Sequence, residues 1–334
     1  MLPAIDIFKE RFGSLRFFLA PMAGITDTVF RLLMRSLGAQ TVISELVSAE
    51  GIVRGGAKTL DLLQFDEAER PVGIQLFGSS QSTLVEAARR VADLGVDFVD
   101  VNFGCPVRKI VCDGGGAAWL KSPASMRSLL SEMKNVLRIP LTIKVRTGWD
   151  ETNLSLSEVV RAAADAGVAW VAVHGRTRAQ GYSGAADWEL IRRVAIQSPI
   201  PIIGNGDITT AEQATRRLAE GYAHAVMIGR GALKNPWIFQ EALCMNPERN
   251  FLKLVDRHFD LAIEKKDRRR AFLSLKKFLA WYATGYPNCS RFRGQVFSTE
   301  DIDGLRHLAA EYFGSLDPAR WINDQQPFLM GGHG

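Results

Sequence analysis

The chain has 334 residues, a formal charge of +5, and is 47% hydrophobic and 23% charged, a balance ordinary for a globular protein. Its length exceeds the roughly 250–300 residues at which one hydrophobic core stops growing, so a large domain with a smaller companion is expected. No stretch approaches the ~20 consecutive apolar residues of a membrane helix, and Asp6, Lys9, Glu10 and Arg11 stand where a signal peptide needs an apolar core. A cytoplasmic protein with no membrane partner, working as a monomer, is therefore expected.

Short apolar runs recur along the first two thirds of the chain: Leu15–Ala20, Thr41–Leu46, Val72–Phe77, Phe98–Phe103, Leu141–Arg146, Trp170–His174, Ile200–Gly204 and Ala225–Gly229. Most are near-continuous rather than alternating, which suits parallel strands buried on both faces. Helix-period stretches lie between them at Thr26–Leu37, Ser82–Leu94, Ser125–Val136, Leu156–Ala166 and Thr210–Leu218. Ser82 with Glu86, Ser155 with Glu158 and Thr209 with Glu212 read as helix starts. Gly38, Gly95, Gly167 and Gly221 read as helix ends. Strand and helix alternating through eight strands predict an α/β fold, a (β/α)8 TIM barrel.

After about Pro236 no further strand is evident. Phe251 to Tyr286 reads as helix with an apolar face at Phe272, Leu275, Leu279 and Tyr282, and Ile302–Phe313 reads as another. Pro287–Gly294 reads as a turn. The expected organisation is a barrel over residues 1–240, a small all-helical C-terminal domain over 241–320, and a frayed tail over 321–334. Lys265, Lys266, Arg268, Arg269, Arg270, Lys276, Lys277, Arg291 and Arg293 crowd the helical part, and only Asp267 opposes them locally. Such a cluster suits a polyanion, although a solvated helix face would look the same.

In a (β/α)8 barrel, chemistry sits on the loops after the C-terminal ends of the strands. The residues there are Pro21, Met22, Ala23 and Gly24 after the first strand, Gln75 in the third, and Asn102 and Cys105 around the end of the fourth. Lys144 and Arg146 lie in the fifth, His174 ends the sixth, Asn205, Gly206 and Asp207 follow the seventh, and Gly229 and Arg230 follow the eighth. A lysine in a barrel interior is costly without a partner, and an anionic or electron-rich ligand at the mouth would supply one. The glycine-bearing loops after strands seven and eight let backbone N–H groups approach a phosphate, which Arg230 can pair with.

Of the cysteines, Cys105 alone sits at the catalytic end, in a Gly-Cys-Pro turn, and is the candidate acid or nucleophile. Cys112 is expected to be incidental, and Cys244 and Cys289 lie outside the barrel. No C-x2-C pair, acidic cluster or His/Cys spacing points to a metal. His224 precedes strand eight at the opposite end of the barrel and is expected to be structural.

The chain resembles the tRNA-dihydrouridine synthases from Leu19 to about Tyr286. The resemblance is carried by Ala20-Pro21-Met22-Ala23-Gly24, Gln75-Leu76-Phe77-Gly78, Val101-Asn102-Phe103-Gly104-Cys105-Pro106, Lys144-Val145-Arg146-Thr147-Gly148-Trp149, His174-Gly175-Arg176-Thr177-Arg178, Asn205-Gly206-Asp207-Ile208 and Ile228-Gly229-Arg230-Gly231-Ala232. It implies FMN held by Pro21, Met22, Ala23, Gln75, Lys144, His174, Asn205, Gly206, Asp207, Gly229 and Arg230, with NADPH as reductant. It implies hydride transfer to C6 of a tRNA uracil and a proton to C5 from Cys105. Asn102, Arg176 and Arg178 are expected to meet the uracil or neighbouring phosphates, and the basic helical stretch is expected to dock tRNA. Three alternatives remain open at this point: a different FMN barrel reductase, a flavin-free phosphate-binding barrel, and a noncatalytic RNA-binding protein.

Overall fold

The computed structural model describes residues 14–317, so the predicted tail over 321–334 lies outside the described residues. Eight parallel strands run β1 (Phe17–Leu19), β2 (Val42–Ser48), β3 (Val72–Phe77), β4 (Phe98–Phe103), β5 (Leu141–Arg146), β6 (Val171–His174), β7 (Ile202–Asn205) and β8 (Ala225–Ile228). From β2 to β8 each pairs with its sequence neighbour, β1 pairs with β8, and a bridge from Phe18 to Thr41 joins β1 to the start of β2. The barrel is thereby closed, with no edge exposed for pairing.

The two-residue period of a strand decides what faces inward. Phe18 and Ala20, Phe98, Trp170 and Ala172, Ile203, and Ala225 and Met227 form the apolar interior. Val99, Val101, Ile143, Val145, Val171, Val173, Val226 and Ile228 point outward into the helix layer. Trp170 closes the interior with its ring edge-on to Phe98 at 5.0 Å and Phe18 at 5.7 Å. Gly73 makes room for this plug, since a Cβ there would sit 2.2 Å from the Phe98 ring. The same alternation sends Asp100, Asn102, Thr142, Lys144, Arg146 and His174 inward, where no apolar layer caps them.

The outer helices are α1 (Thr28–Ser36), α2 (Ala49–Val53), α3 (Ala57–Asp61), α4 (Gln81–Ala92), α5 (Arg108–Cys112), α6 (Pro123–Val136), α7 (Leu156–Asp165), α8 (Trp188–Gln197) and α9 (Ala211–Ala219). Gly38, Gly95, Gly167 and Gly221 follow helix ends with φ of 94°, 79°, 76° and 71°, the left-handed turn a C-terminal cap needs. Ser155 precedes α7 as expected, while the other two starts differ from expectation by a residue or two. Ser80 rather than Ser82 caps α4, and Thr210 with Gln213 rather than Thr209 with Glu212 makes the capping box of α9. His224 is buried, its Nδ1 accepting the Ile202 N–H at 3.1 Å, a structural role at the base of β7.

From α10 (Arg230–Lys234) and α11 (Ile238–Ala242) onward the described chain is helical: α12 (Phe251–Lys265), α13 (Arg268–Tyr282), α14 (Cys289–Ser298) and α15 (Ile302–Gly314). The helix expected over Phe251 to Tyr286 is two helices. Lys266 is extended, and the Asp267 carboxylate caps α13 by accepting the Arg270 N–H at 2.9 Å. The turn expected at Pro287–Gly294 is confined to Pro287 and Asn288, the latter at φ 58°. Cys289, Phe292 and Val296 then follow at helical spacing and are buried. This helical region packs α12 on α1 and α13 on α10, with Phe30 stacked on Phe278 at 5.0 Å. It therefore abuts the two loops, after β1 and β8, that frame one side of the barrel mouth. No helix among the described residues is long and apolar enough to cross a membrane.

Candidate active site

A cavity of about 580 Å³ opens at the C-terminal ends of the strands, within the size range of small-molecule sites. Pro21, Met22 and Ala23, Asn102 and Cys105, Lys144, His174, Asn205, Gly206 and Asp207, and Gly229 and Arg230 all line it. Segments more than two hundred residues apart in sequence thus meet at one mouth. Gln75 does not line it: its side chain is wholly buried below the floor, bonded to Asp100 and Asn102.

The turn carrying Cys105 is built by Asn102. Its Oδ1 accepts the N–H groups of Gly104 at 3.0 Å and Cys105 at 2.7 Å, folding the chain off the end of β4 as Asx side chains do. Gly104 allows this turn to lie against β5, because a Cβ would come 3.1 Å from the carbonyl carbon of Val145. Gly116, at φ 54°, passes so close that a Cβ would meet the Cys105 carbonyl oxygen at 2.8 Å. Burial pushes the Cys105 thiol above the ordinary thiol range, against the opposing pull of the Val107 N–H and of Arg146 and Lys144. The thiol is therefore protonated at neutral pH. The other cysteines are free as well, Cys112 and Cys244 exposed and Cys289 buried.

Lys144 makes no hydrogen bond and no ion pair with any described residue, yet its side chain lines the cavity. Burial and the neighbouring Arg146 lower its pKa to about 8, with Asp100 pulling the other way. Arg146 is also pushed down, to about 10, chiefly by burial. Its guanidinium is spent on the carbonyls of Gly104 at 2.9 Å, Thr177 at 2.8 Å and Gly181 at 2.6 Å. Arg146 thus ties the Cys105 turn to the loop after β6.

Arg176, expected against substrate, is committed elsewhere. It is 3% exposed and forks onto Asp207 at 2.9 and 2.8 Å, with further bonds to the carbonyls of Ser183 and Gly184. Its Nη1 also lies 3.3 Å from His174 Nε2. A guanidinium only donates, so His174 Nε2 accepts and the imidazole proton sits on Nδ1. His174 is held well below its ordinary pKa, first by burial and then by Lys144, Arg146, Arg176 and Arg230, so it stays neutral. Arg178 is also diverted, lying 4.4 Å over the Trp149 ring and outside the cavity lining.

Gly206 (φ 126°) lets the loop after β7 lie against the segment after β6, and Gly231 lets the loops after β7 and β8 meet. A Cβ on Gly206 would lie 2.6 Å from Ala186 Cβ, and one on Gly231 would lie 2.2 Å from the Ile208 carbonyl oxygen. Tyr182, absent from the sequence-based set, lines the same wall with its ring 4.7 Å from the Arg230 guanidinium and 5.5 Å from that of Arg146. It is the lone aromatic in the segment between β6 and α8, the one signal that could have drawn attention to it.

The basic stretch is far less free than its local sequence suggests. Lys265 meets Asp66 at 2.8 Å, Lys266 meets Asp27 at 2.5 Å, Arg268 meets Asp303 at 2.6 Å and Arg270 meets Asp61 at 2.9 Å. Lys276 donates to the carbonyls of Phe297 and Thr299, and Arg293 donates to Ser290 Oγ at 3.4 Å. Arg269, Lys277 and Arg291 are exposed and have no partner among the described residues. The described residues contain no group of acidic, His and Cys side chains able to hold a metal.

Comparison with known proteins matches residues 18–312 to the family model described as Dihydrouridine synthase. A "Probable tRNA-dihydrouridine synthase" of Rickettsia conorii is 32% identical, over 89% of this chain and 93% of the relative. The "tRNA-dihydrouridine synthase B" of Pseudomonas aeruginosa is 33% identical, over 89% of this chain and 92% of its own. Among solved structures, histamine dehydrogenase from Rhizobium sp. 4-9 aligns with a TM-score of 0.54 at 12% identity, over 74% of this chain and 49% of that one. A 2-naphthoyl-CoA reductase aligns at 0.53 and 14% identity, over 70% of this chain and 50% of that one. The chain spans about half the length of these two structures, and the likeness is one of fold.

Proposed function

The chain belongs to the dihydrouridine synthase family, and on that premise we propose that it is a cytoplasmic flavin-dependent oxidoreductase that reduces uridines of tRNA to dihydrouridine. The cofactor proposed is FMN and the reductant NADPH. The observation that carries the reading is the unpaired Lys144 ammonium at the floor of a cavity walled by the glycine loops of β7 and β8. Asp100 draws on this cation only through space, so its donors are left without a bonded acceptor, and an electron-rich, phosphate-bearing cofactor supplies acceptors for them. The donor set fits. The loops after strands seven and eight are the usual phosphate site of this fold, Arg230 stands beside them, and Lys144 with the His174 Nδ1–H offers two donors to a ring system. Pro21, Met22, Ala23, Asn205, Gly206, Asp207 and Gly229 complete the proposed cofactor wall, and Gln75 acts from beneath it. Bound flavin would supply hydride to C6 of the uracil.

This chain's own part is to hold the base and deliver the proton. The Cys105 thiol keeps its proton at Sγ through neutral pH and gives it to C5, leaving a thiolate that solvent reprotonates. Asn102 and Arg146 fix the turn that presents the thiol. Arg176, with its guanidinium committed to Asp207 and His174, is a positioning residue for the cofactor wall rather than a group that meets RNA. The target uridine must leave its stack to reach the cavity. The helical region from Phe251 to Gly314 is proposed to receive the rest of the tRNA.

Two expected results test this reading. Purified protein should be yellow, and its flavin affinity should fall as pH rises through about 8, where Lys144 loses its charge in the free protein. The sign follows from the ammonium being the binding form. Lys144→Met should bind flavin roughly 10-fold or more weakly, the worth of a charged hydrogen bond, and show no step near that pH. A colourless protein that takes up no FMN in a fluorescence titration would remove the flavin from the account.

The second result concerns RNA. Alanine at Arg269, Lys277 and Arg291 together should weaken tRNA binding and reduce the slope of log K against log salt by roughly 0.7–0.9 for each phosphate that is no longer neutralised. Alanine at Lys265 should do much less, since Asp66 already engages it. Filter binding over a salt series reads both, and equal effects from the two sets would contradict the assignment.

A further inference from the structure

Below the cavity the barrel holds a carboxylate with no role in the chemistry described so far. Asp100 is wholly buried inside the barrel on β4, level with Gln75 on β3 and Thr142 on β5. Its Oδ1 accepts from Thr142 Oγ1 at 2.5 Å, and its Oδ2 accepts from Gln75 Nε2 at 2.6 Å. Gln75 Oε1 then accepts from Asn102 Nδ2 at 2.9 Å. Asn102 Oδ1 in turn receives the N–H groups of Gly104 and Cys105.

This chain of bonds has a direction. A primary amide can turn over and present its donor end or its acceptor end to a neighbour. An ionised carboxylate only accepts, so it fixes the NH2 of Gln75 towards itself and the carbonyl towards Asn102. Asn102 must then face Gln75 with its NH2, which turns its carbonyl to two backbone groups that only donate. Every member is satisfied in this one orientation, and buried networks of this kind fail as a unit when one member is reversed. Burial raises the Asp100 pKa to about 6, against the pull of Gln75, Thr142 and Lys144, so the group is ionised at neutral pH.

We propose that Asp100 is a positioning residue for the reaction: acting through Gln75 and Asn102, it fixes the turn that presents the Cys105 thiol to the substrate base. The proposal rests on the reading of Cys105 as the proton donor. Its structural core, a carboxylate governing the Cys105 turn from the barrel interior, can be read without catalysis.

The test follows two quantities in the full-length protein. One is the rate at which the neutral reagent N-ethylmaleimide alkylates Cys105, followed by mass spectrometry of its peptide. The other is dihydrouridine formation in tRNA. Asp100→Asn should speed alkylation and lower kcat by about tenfold each as the turn loosens, with the KM for tRNA unchanged. Gln75→Met, which keeps every charge, should speed alkylation in the same way. The double variant Asp100→Asn, Gln75→Glu reverses the first link: the amide at position 100 donates to the carboxylate at position 75, which still accepts from Asn102. Alkylation and kcat should both return to within about threefold of wild type, a recovery expected only where the two positions are coupled.

Wild-type alkylation rates in Asp100→Asn and Gln75→Met, or a double variant no better than the worse single, would overturn the proposal. If Asp100→Asn does not fold, Gln75→Met and the double variant carry the same comparison. If the wild-type protein forms no dihydrouridine, the enzymatic reading fails while the alkylation rates still decide the coupling.

Discussion

Replacing Cys105 with alanine is expected to slow uridine reduction by roughly 10²- to 10⁴-fold, the usual worth of a positioned acid, while NADPH still reduces the bound flavin at its normal rate. The separation follows from where the thiol sits. Cys105 lines the cavity on the β4 turn, while the proposed cofactor wall is built from the β1, β5, β6, β7 and β8 segments. Burial holds the thiol protonated, which suits the proposed role of donor rather than nucleophile at neutral pH. Serine in its place would hold its proton too tightly to recover the rate. Anaerobic mixing of reduced protein with tRNA reads the oxidative half-reaction, and mixing oxidised protein with NADPH reads the reductive one. A variant keeping more than about a tenth of the oxidative rate would take the acid role away from Cys105.

The largest effect on stability is expected at Arg31. It is 2% exposed and paired with Glu69, which is fully buried. It also donates to the carbonyls of Thr26 at 2.8 Å and Gln64 at 2.9 Å, and to Thr28 Oγ1 at 3.0 Å. Thr26 in turn donates to the Met22 carbonyl and accepts the Met22 N–H at 2.9 Å. Arg31 therefore secures the β1 loop of the cavity from behind. Arg31→Met would leave the Glu69 carboxylate buried without its counter-charge, at a cost of about 3–5 kcal/mol in urea unfolding. Arg31→Met with Glu69→Leu should regain part of that loss, since removing both leaves no buried charge unpaired, although the Thr26 and Gln64 carbonyls and the Asp66 N–H lose their partners. A single variant costing under ~1 kcal/mol would show that the pair contributes little beyond packing.

The barrel was legible because two signals coincide along the chain. β-rich runs at Val72–Phe77, Phe98–Phe103 and Leu141–Arg146 have the bounds that the structure gives them, and glycines end the intervening helices. The cavity residues were legible for a different reason: this fold assigns function to one end of its strands, so His174 or Gly229 could be singled out from strand position alone. What escaped the sequence was pairing across long separations. The basic stretch looks unopposed locally, but Asp66, Asp61 and Asp27 reach it from 199, 209 and 239 residues away. Arg176 looks like a substrate-binding group because its neighbour His174 lines the cavity, yet its partner Asp207 arrives 31 residues later. Asp100 is hidden in an apolar strand, and only register shows that it faces Gln75 and Thr142. Cys289, Phe292 and Val296 carry helical spacing, but the preceding Pro287-Asn288 turn masks it.

On the proposed reading, one cavity joins a flavin to a uridine of tRNA, with this chain supplying the proton. The most direct test is a single turnover of reduced, FMN-loaded protein with unmodified tRNA under anaerobic conditions, reading flavin oxidation by absorbance and dihydrouridine by mass spectrometry of the digested RNA. One dihydrouridine is expected for each flavin oxidised, with deuterium from D2O solvent at C5 of the product. Flavin that stays reduced in the presence of tRNA, or is oxidised without dihydrouridine appearing, would contradict that reading.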